Sequence, residues 1–261
     1  MKRLFLTVTT LCLCGTLFAQ ITPEDFEALK AFYEATGGKS WKNNSGWDFK
    51  HSTAEDVEVY NAEEGTGWFG INEIRNNRVS KLELPDNGLQ GELPAVVYEL
   101  DGLRTLNLSG NNLSGSLSPE VGRLKLMSSF ILSDNRLTGE IPAELVSMGR
   151  EAKTSKPRAD GKGGNEIKVL LNKNRLTGEI PANIGDMTLL GKPAKSISLD
   201  LSYNQLTGEI PASVAKLTAL TSFKAAGNHL SGKVPEALES LPSLKYLRLE
   251  KNDFSGSVPR K

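Results

Sequence analysis

Residues 199–211 read LDLSYNQLTGEIP. Leu199 and Leu201 flank polar Asp200, the two-residue period of a short strand with one side buried. Asn204 closes the strand. Leu206 follows it by two residues, Gly208 by four, and Ile210-Pro211 ends the unit. The same order recurs around Asn87, Asn111, Asn135, Asn174, Asn204, Asn228 and Asn252, and four of the six intervals are 24 residues. Each asparagine has Leu or Phe two residues on, from Leu89 to Phe254, and Gly four residues on, from Gly91 to Gly256. Five and three residues before it stand apolar pairs: Leu82/Leu84, Leu106/Leu108, Phe130/Leu132, Val169/Leu171, Leu199/Leu201, Phe223/Ala225 and Leu247/Leu249.

One unit cannot bury its own apolar strand side, whereas stacked units bury one another around a continuous core. The asparagine falls where the chain turns out of the strand. There its amide can satisfy backbone groups of its own coil and of the neighbouring one. The glycine tolerates a left-handed backbone, and the proline, lacking an N–H, suits a loop or an edge.

Stretches such as NRLTGEIPANIG and NQLTGEIPASVAKL resemble the leucine-rich-repeat family, in its plant-type 24-residue subclass, over about residues 79–259. The resemblance implies an α/β solenoid: a right-handed superhelix with a concave parallel sheet, a convex side of helical or 3₁₀ turns, a short second strand at the L-x-G-x-I-P segment, and a helical N-terminal cap. Members of the family mostly bind proteins, peptides or glycans. GWFGINEIRNNRVSKLELPDN resembles the plant-type N-terminal cap at Trp68, Gly70, Ile71, Arg78 and Val79, but the family's cap cysteines are missing, which favours a bacterial exported member.

The intervals of 39 residues before Asn174 and 30 before Asn204 mark insertions near 147–166 and 189–196. The first is rich in Lys, Arg and Gly and nearly devoid of apolar residues, which reads as a flexible loop. Both are expected to project from the convex side or an edge, either as tolerated loops or as a second contact site.

Lys2 and Arg3 followed by the mostly apolar run Leu4 to Ala19 read as a secretory signal peptide, with an uncleaved anchor as the alternative. The run is shorter than the roughly 20 residues of a membrane span, so no transmembrane span is expected in the mature chain. The chain's two cysteines, Cys12 and Cys14, both lie in this segment, each preceded by leucine where bacterial lipid attachment wants a small residue; this argues against lipid anchoring. The domain reading is therefore signal peptide 1–19, N-terminal cap 20–78 and seven repeats over 79–261, exported to the cell surface, periplasm or medium.

In the cap, Thr22-Pro23-Glu24-Asp25 reads as a helix start, with Phe26, Leu29, Phe32 and Tyr33 on one face toward the first coil and Gly37-Gly38 as the stop. Trp41, Trp47 and Trp68 are expected to seal the first coil, or else to form a ligand-stacking platform. The last coil shows no cap motif, so its strand edge is a candidate for self-association.

Nothing in the sequence points to chemistry. His51 and His229 stand in no metal-ligand spacing, and there is no nucleophile elbow and no phosphate loop. No catalytic residue, metal ligand or cofactor is assigned, and the chain reads as a non-enzyme. Lys plus Arg and Asp plus Glu both number 31, a balance that does not call for nucleic acid.

Strand residues that alternate with the buried ones face the concave side. Among them Ile131, Leu170, Asp200, Lys224, Tyr246 and Arg248, with Tyr203 at the turn before its asparagine, are the candidate partner-binding residues; aromatics and arginine are enriched where binding energy concentrates. A face of roughly 500–600 Å² suits a peptide, a small domain or a glycan. The leading expectation is a secreted or cell-surface binding module. Inhibition of a secreted hydrolase, by resemblance to plant repeat proteins that block pectin-degrading enzymes, and self-association in the envelope are the alternatives.

Overall fold

The computed structural model describes residues 21–151, 166–187 and 194–256. The expected signal peptide with Cys12 and Cys14, most of the 147–166 insertion, residues 188–193, which take in part of the 189–196 insertion, and residues 257–261 lie outside the described residues.

The strands in chain order are β1 (Ile71–Arg75), β2 (Arg78–Glu83), β3 (Gln90–Glu92), β4 (Thr105–Asn107), β5 (Asn112–Ser114), β6 (Ser129–Ile131), β7 (Glu166–Leu170), β8 (Ser196–Asp200), β9 (Leu220–Lys224) and β10 (Tyr246–Arg248). Eight of them form one sheet in the order β1-β2-β4-β6-β7-β8-β9-β10. From β2 onward every pairing is parallel, which makes this sheet the concave side of a leucine-rich-repeat solenoid. On the opposite side each coil makes a 3₁₀ turn, at Ala95–Glu99, Pro119–Arg123, Ala143–Ser147, Ile184–Asp186, Ala212–Lys216 and Glu236–Leu238. Among the described residues the second strand survives as a pair only at β3 and β5, and later coils keep single bridges such as Glu140 with Thr177 and Glu179 with Thr207.

The inward pairs bury as their spacing requires. Leu82, Leu106, Phe130, Val169 and Leu199 are fully buried and Phe223 nearly so, while Leu247 in the last coil is half-buried. The asparagines form a continuous ladder. Asn204 donates from Nδ2 to the carbonyls of Leu171 and Leu201, both at 3.0 Å, and its Oδ1 accepts the Leu176 N–H at 3.0 Å. Asn111, Asn135, Asn174, Asn228 and Asn252 repeat this pattern. Neither insertion interrupts it: Asn174 reaches back to the carbonyl of Leu132 and Asn204 to that of Leu171, each at 3.0 Å. Asn87 has no preceding coil, and the cap replaces one. Its Nδ2 donates to the Asn43 carbonyl and its Oδ1 accepts the Asn43 N–H, both at 2.8 Å.

The residue just before each ladder asparagine is left-handed: Asp86, Gly110, Asp134, Lys173, Tyr203, Gly227 and Lys251 all have φ between 51° and 68°. This reversal turns the asparagine amide into the coil.

The cap begins with helix α1 (Pro23–Ala35), capped by Thr22, whose hydroxyl accepts the Asp25 N–H at 3.2 Å. Leu29 and Phe32 are fully buried on the face toward the first coil. Phe26 and Tyr33, expected on that same face, turn instead into the tryptophan cluster, where Tyr33 stacks on Trp47 with centroids 5.9 Å apart and Phe26 meets Trp68 edge-on at 6.2 Å. A flat, fused aromatic surface is a better partner for these rings than the aliphatic coil. Trp41, Trp47 and Trp68 are all buried, and each indole N–H donates to a backbone carbonyl. They are sealing core, not an open platform.

The cap also supplies a strand the repeat pattern did not reveal. β1 pairs antiparallel with β2 across Asn76-Asn77, both left-handed, as a two-residue hairpin requires. Beneath it the Asp25 carboxylate, fully buried, holds the Arg78 guanidinium at 2.6 Å and accepts the Val79 N–H at 2.7 Å. A buried carboxylate with both a cation and a backbone donor is a satisfied one, and it locks helix to sheet.

Candidate concave binding face

Parallel pairing fixes the outward columns. Glu83, Asn107, Ile131, Leu170, Asp200, Lys224 and Arg248 pair successively and form one row across the sheet. Lys81, Thr105, Ser129, Lys168, Ser198, Ser222 and Tyr246 form the row beside it. Side chains within a row stand one strand spacing apart, about 4.8 Å. β4, β6 and β10 are only three residues long, so the face is about 10 Å across there, narrower than the sequence suggested. β7, β8 and β9 reach five residues and widen it.

The seven candidate residues fall into two groups. Ile131 and Leu170 sit side by side, half-buried, as an apolar step at the middle of the row. Asp200, Tyr203, Lys224, Tyr246 and Arg248 surround two adjoining hollows over the last coils. One, of about 410 Å³, is lined by Ser198, Thr221, Ser222, Lys224, Tyr246 and Arg248. The other, of about 210 Å³, includes Lys173, Asp200, Tyr203, Lys224, Arg248 and Glu250. Lys224 and Arg248 belong to both and form the ridge between them.

The charges on this ridge are only loosely paired. Lys224 Nζ is 3.6 Å from Asp200, and an Arg248 guanidinium nitrogen is 3.8 Å from Glu250, in both cases with the cation substantially exposed. Such pairs contribute about 0–1 kcal/mol and are screened by salt. Tyr203 and Tyr246 are 49% and 63% exposed, two of the three large apolar side chains so open among the described residues.

Tyr203 is held in an unusual way. A bulky residue with φ 56° is an outlier that costs on the order of 1–3 kcal/mol. Its ring lies over Gly227 of the next coil, where a Cβ would stand 2.7 Å from Tyr203 Cδ1, and Lys251 Nζ approaches the ring centroid at 5.9 Å. Gly227 thus makes room for the ring. Lys173 and Glu250 also line the site and were not singled out from the sequence. The signal for Lys173 was present: the position before each asparagine holds Asp, Gly, Asp, Lys, Tyr, Gly and Lys, a set weighted toward residues that tolerate a left-handed backbone.

His51 and His229 are exposed, each beside one carboxylate, Asp48 at 2.7 Å and Asp253 at 3.9 Å. Among the described residues no three His, Cys, Asp or Glu side chains converge as a metal site, and no helix is long and apolar enough to cross a membrane.

The Leucine Rich Repeat family model matches residues 102–124 and 197–217. No curated protein matches the chain by sequence. Several solved structures are similar. The PEPR1–AtPEP1 complex is 27% identical over 91% of this chain and 29% of that one, with a TM-score of 0.67. A pollen receptor kinase 3 is 26% identical over 88% of this chain and 96% of that one, with a TM-score of 0.62. The ectodomain of the Arabidopsis thaliana membrane receptor kinase GASSHO1/SCHENGEN3, in complex with Casparian strip integrity factor 2, is 31% identical over 67% of this chain and 19% of that one, with a TM-score of 0.57. The chain thus spans less than a third of the first and third of these structures.

Proposed function

We propose, on the premise that this chain has a leucine-rich-repeat fold, that it is an exported binding module that recognises a protein or peptide through its concave face and carries out no chemistry of its own. One observation carries the reading. The outward rows are registered across the sheet, yet at their C-terminal half exposed Tyr246, and Tyr203 at a neighbouring turn, surround a Lys224–Arg248 ridge, none of which the core needs. Exposed aromatics and arginine gathered around hollows are what a partner's side chains can use. Two similar structures, PEPR1–AtPEP1 and the GASSHO1/SCHENGEN3 ectodomain with Casparian strip integrity factor 2, hold a second component, which supports a binding role here.

Export rests on the basic start and apolar run of residues 1–19, and the cap sealed by tryptophans without cysteines fits the bacterial exported member expected from the sequence. Affinity capture from the surface the protein meets, followed by quantitation against Leu170→Asp and Arg248→Glu, tests the binding reading. Loss of the captured partner with either variant is expected. Undiminished capture by both folded variants would remove the concave face from consideration.

A further inference from the structure

We propose that the C-terminal half of the concave face takes a carboxylate of an extended acidic peptide, seated over Lys224 and Arg248 with the chain running between Tyr246 and Tyr203. This rests on the concave-face reading above and names the chemistry of its ligand.

The larger hollow is lined by two cations, the hydroxyls of Ser198, Thr221 and Ser222, and the Tyr246 ring, with no carboxylate in its wall. The carboxylates that face these cations lie to one side. Asp200 stands 3.6 Å from Lys224 and Glu250 stands 3.8 Å from Arg248, and both line the neighbouring hollow. The pairs are long and their cations are open to solvent, although the Asp200 carboxylate is largely buried, which leaves the guanidinium fork and part of the ammonium donors able to turn toward a ligand. Lys224 and Arg248 are directly paired residues on adjacent strands, so one carboxylate can reach both, with arginine able to take it through two parallel hydrogen bonds. Thr221 already hydrogen-bonds Ser196 and the Ile197 carbonyl and Ser222 is buried, which leaves Ser198 as the more accessible hydroxyl of the wall.

The shape fits a strand of peptide. About 410 Å³ accommodates a side chain or two and excludes a folded element. Tyr246 begins β10, while Tyr203 lies two coils back and five strand positions further along. That is a diagonal of about 19 Å, or about six extended residues. The two rings stand too far apart to form a continuous platform for successive sugars. They suit side-chain anchors at the two ends of a short segment whose middle residue is acidic. The strained backbone of Tyr203 and the clearance at Gly227 hold one anchor in place before the ligand arrives.

Fluorescence anisotropy on the full chain tests this with four probes: a blocked hexapeptide carrying two glutamates between tyrosines, its glutamine counterpart, the glutamine counterpart with a free C-terminal carboxylate, and trigalacturonate. The glutamate peptide should bind with a dissociation constant of about millimolar or tighter, and the blocked glutamine peptide about tenfold more weakly. Arg248→Gln at an exposed position and Lys224→Gln at a half-buried one should each reduce glutamate-peptide binding about tenfold. Recovery of binding by the free-terminus peptide also supports the site and assigns the carboxylate to the chain end. Equal binding of the two blocked peptides, no binding of any peptide, indifference to both substitutions, or preference for trigalacturonate would each overturn the inference. A captured partner that still depends on Leu170 when the peptides fail would leave the concave-face reading standing and remove the acidic-peptide one.

Discussion

Phe130 and Ile131 are neighbours on one strand and live under opposite rules. Phe130 belongs to the inward row, fully buried between coils, where every position must be apolar and of the right size. Ile131 belongs to the outward row, paired with Asn107 on one side and Leu170 on the other, where residues as different as Glu83 and Arg248 occupy equivalent places. The inward row is constrained by its neighbours in the chain. The outward row is constrained only by whatever it meets, so its composition carries information about a partner and almost none about the fold.

Five substitutions sharpen or break that contrast. Phe130→Ala should destabilise most, by about 3–5 kcal/mol in urea unfolding, because the stacked coils cannot close over the cavity. Tyr98, on the convex 3₁₀ turn, is buried, with its hydroxyl near the Ser118 backbone but without hydrogen-bond geometry, and burial pushes its pKa up to about 12. The folded state favours the neutral phenol, so this stability is present below about pH 10 and is lost as pH rises toward 12, by about 2–3 kcal/mol. Tyr98→Phe should flatten that alkaline loss in a pH series of unfolding curves. Asn204→Ala should cost about 1–3 kcal/mol, since it orphans the Leu176 N–H and two carbonyls. Tyr203→Gly should raise stability by about 1 kcal/mol while weakening partner binding, because it relieves the left-handed strain and removes an anchor. At the small end, Arg248→Glu should change stability by no more than about 0.5 kcal/mol. A large destabilisation there would mean the outward row holds the fold together after all.

The repeat was legible because its physics is periodic. Leu, Asn and Gly recur wherever a coil must bury, turn and reverse, and the ladder runs through every asparagine that the spacing marked. The concave rows followed from the same spacing, since alternation fixes which side a strand residue takes. What the sequence did not disclose is non-periodic. Asp25 reads as an ordinary first-turn acid of a helix, and nothing local marks it as the buried partner of Arg78, 53 residues away. Asn43 stands in for a coil that does not exist, a role visible only once Asn87 is in place. Asn76-Asn77 is a hairpin signal that stands outside the repeat, so the periodic spacing does not mark it. The hollows over the last coils gather side chains from three coils in the larger and four in the smaller, which no single repeat encodes.

Amide hydrogen exchange at Leu137, Leu176 and Leu206 puts the ladder to the most direct test. These three N–H groups donate to Asn174, Asn204 and Asn228, and the first two bonds sit beside the insertions. Slow exchange of similar degree at all three is expected from one unbroken stack. Fast exchange at Leu137 and Leu176 with Leu206 still protected would mean that the stack parts at the insertions, and the row from Ile131 through Leu170 to Asp200 would then not exist as a single surface.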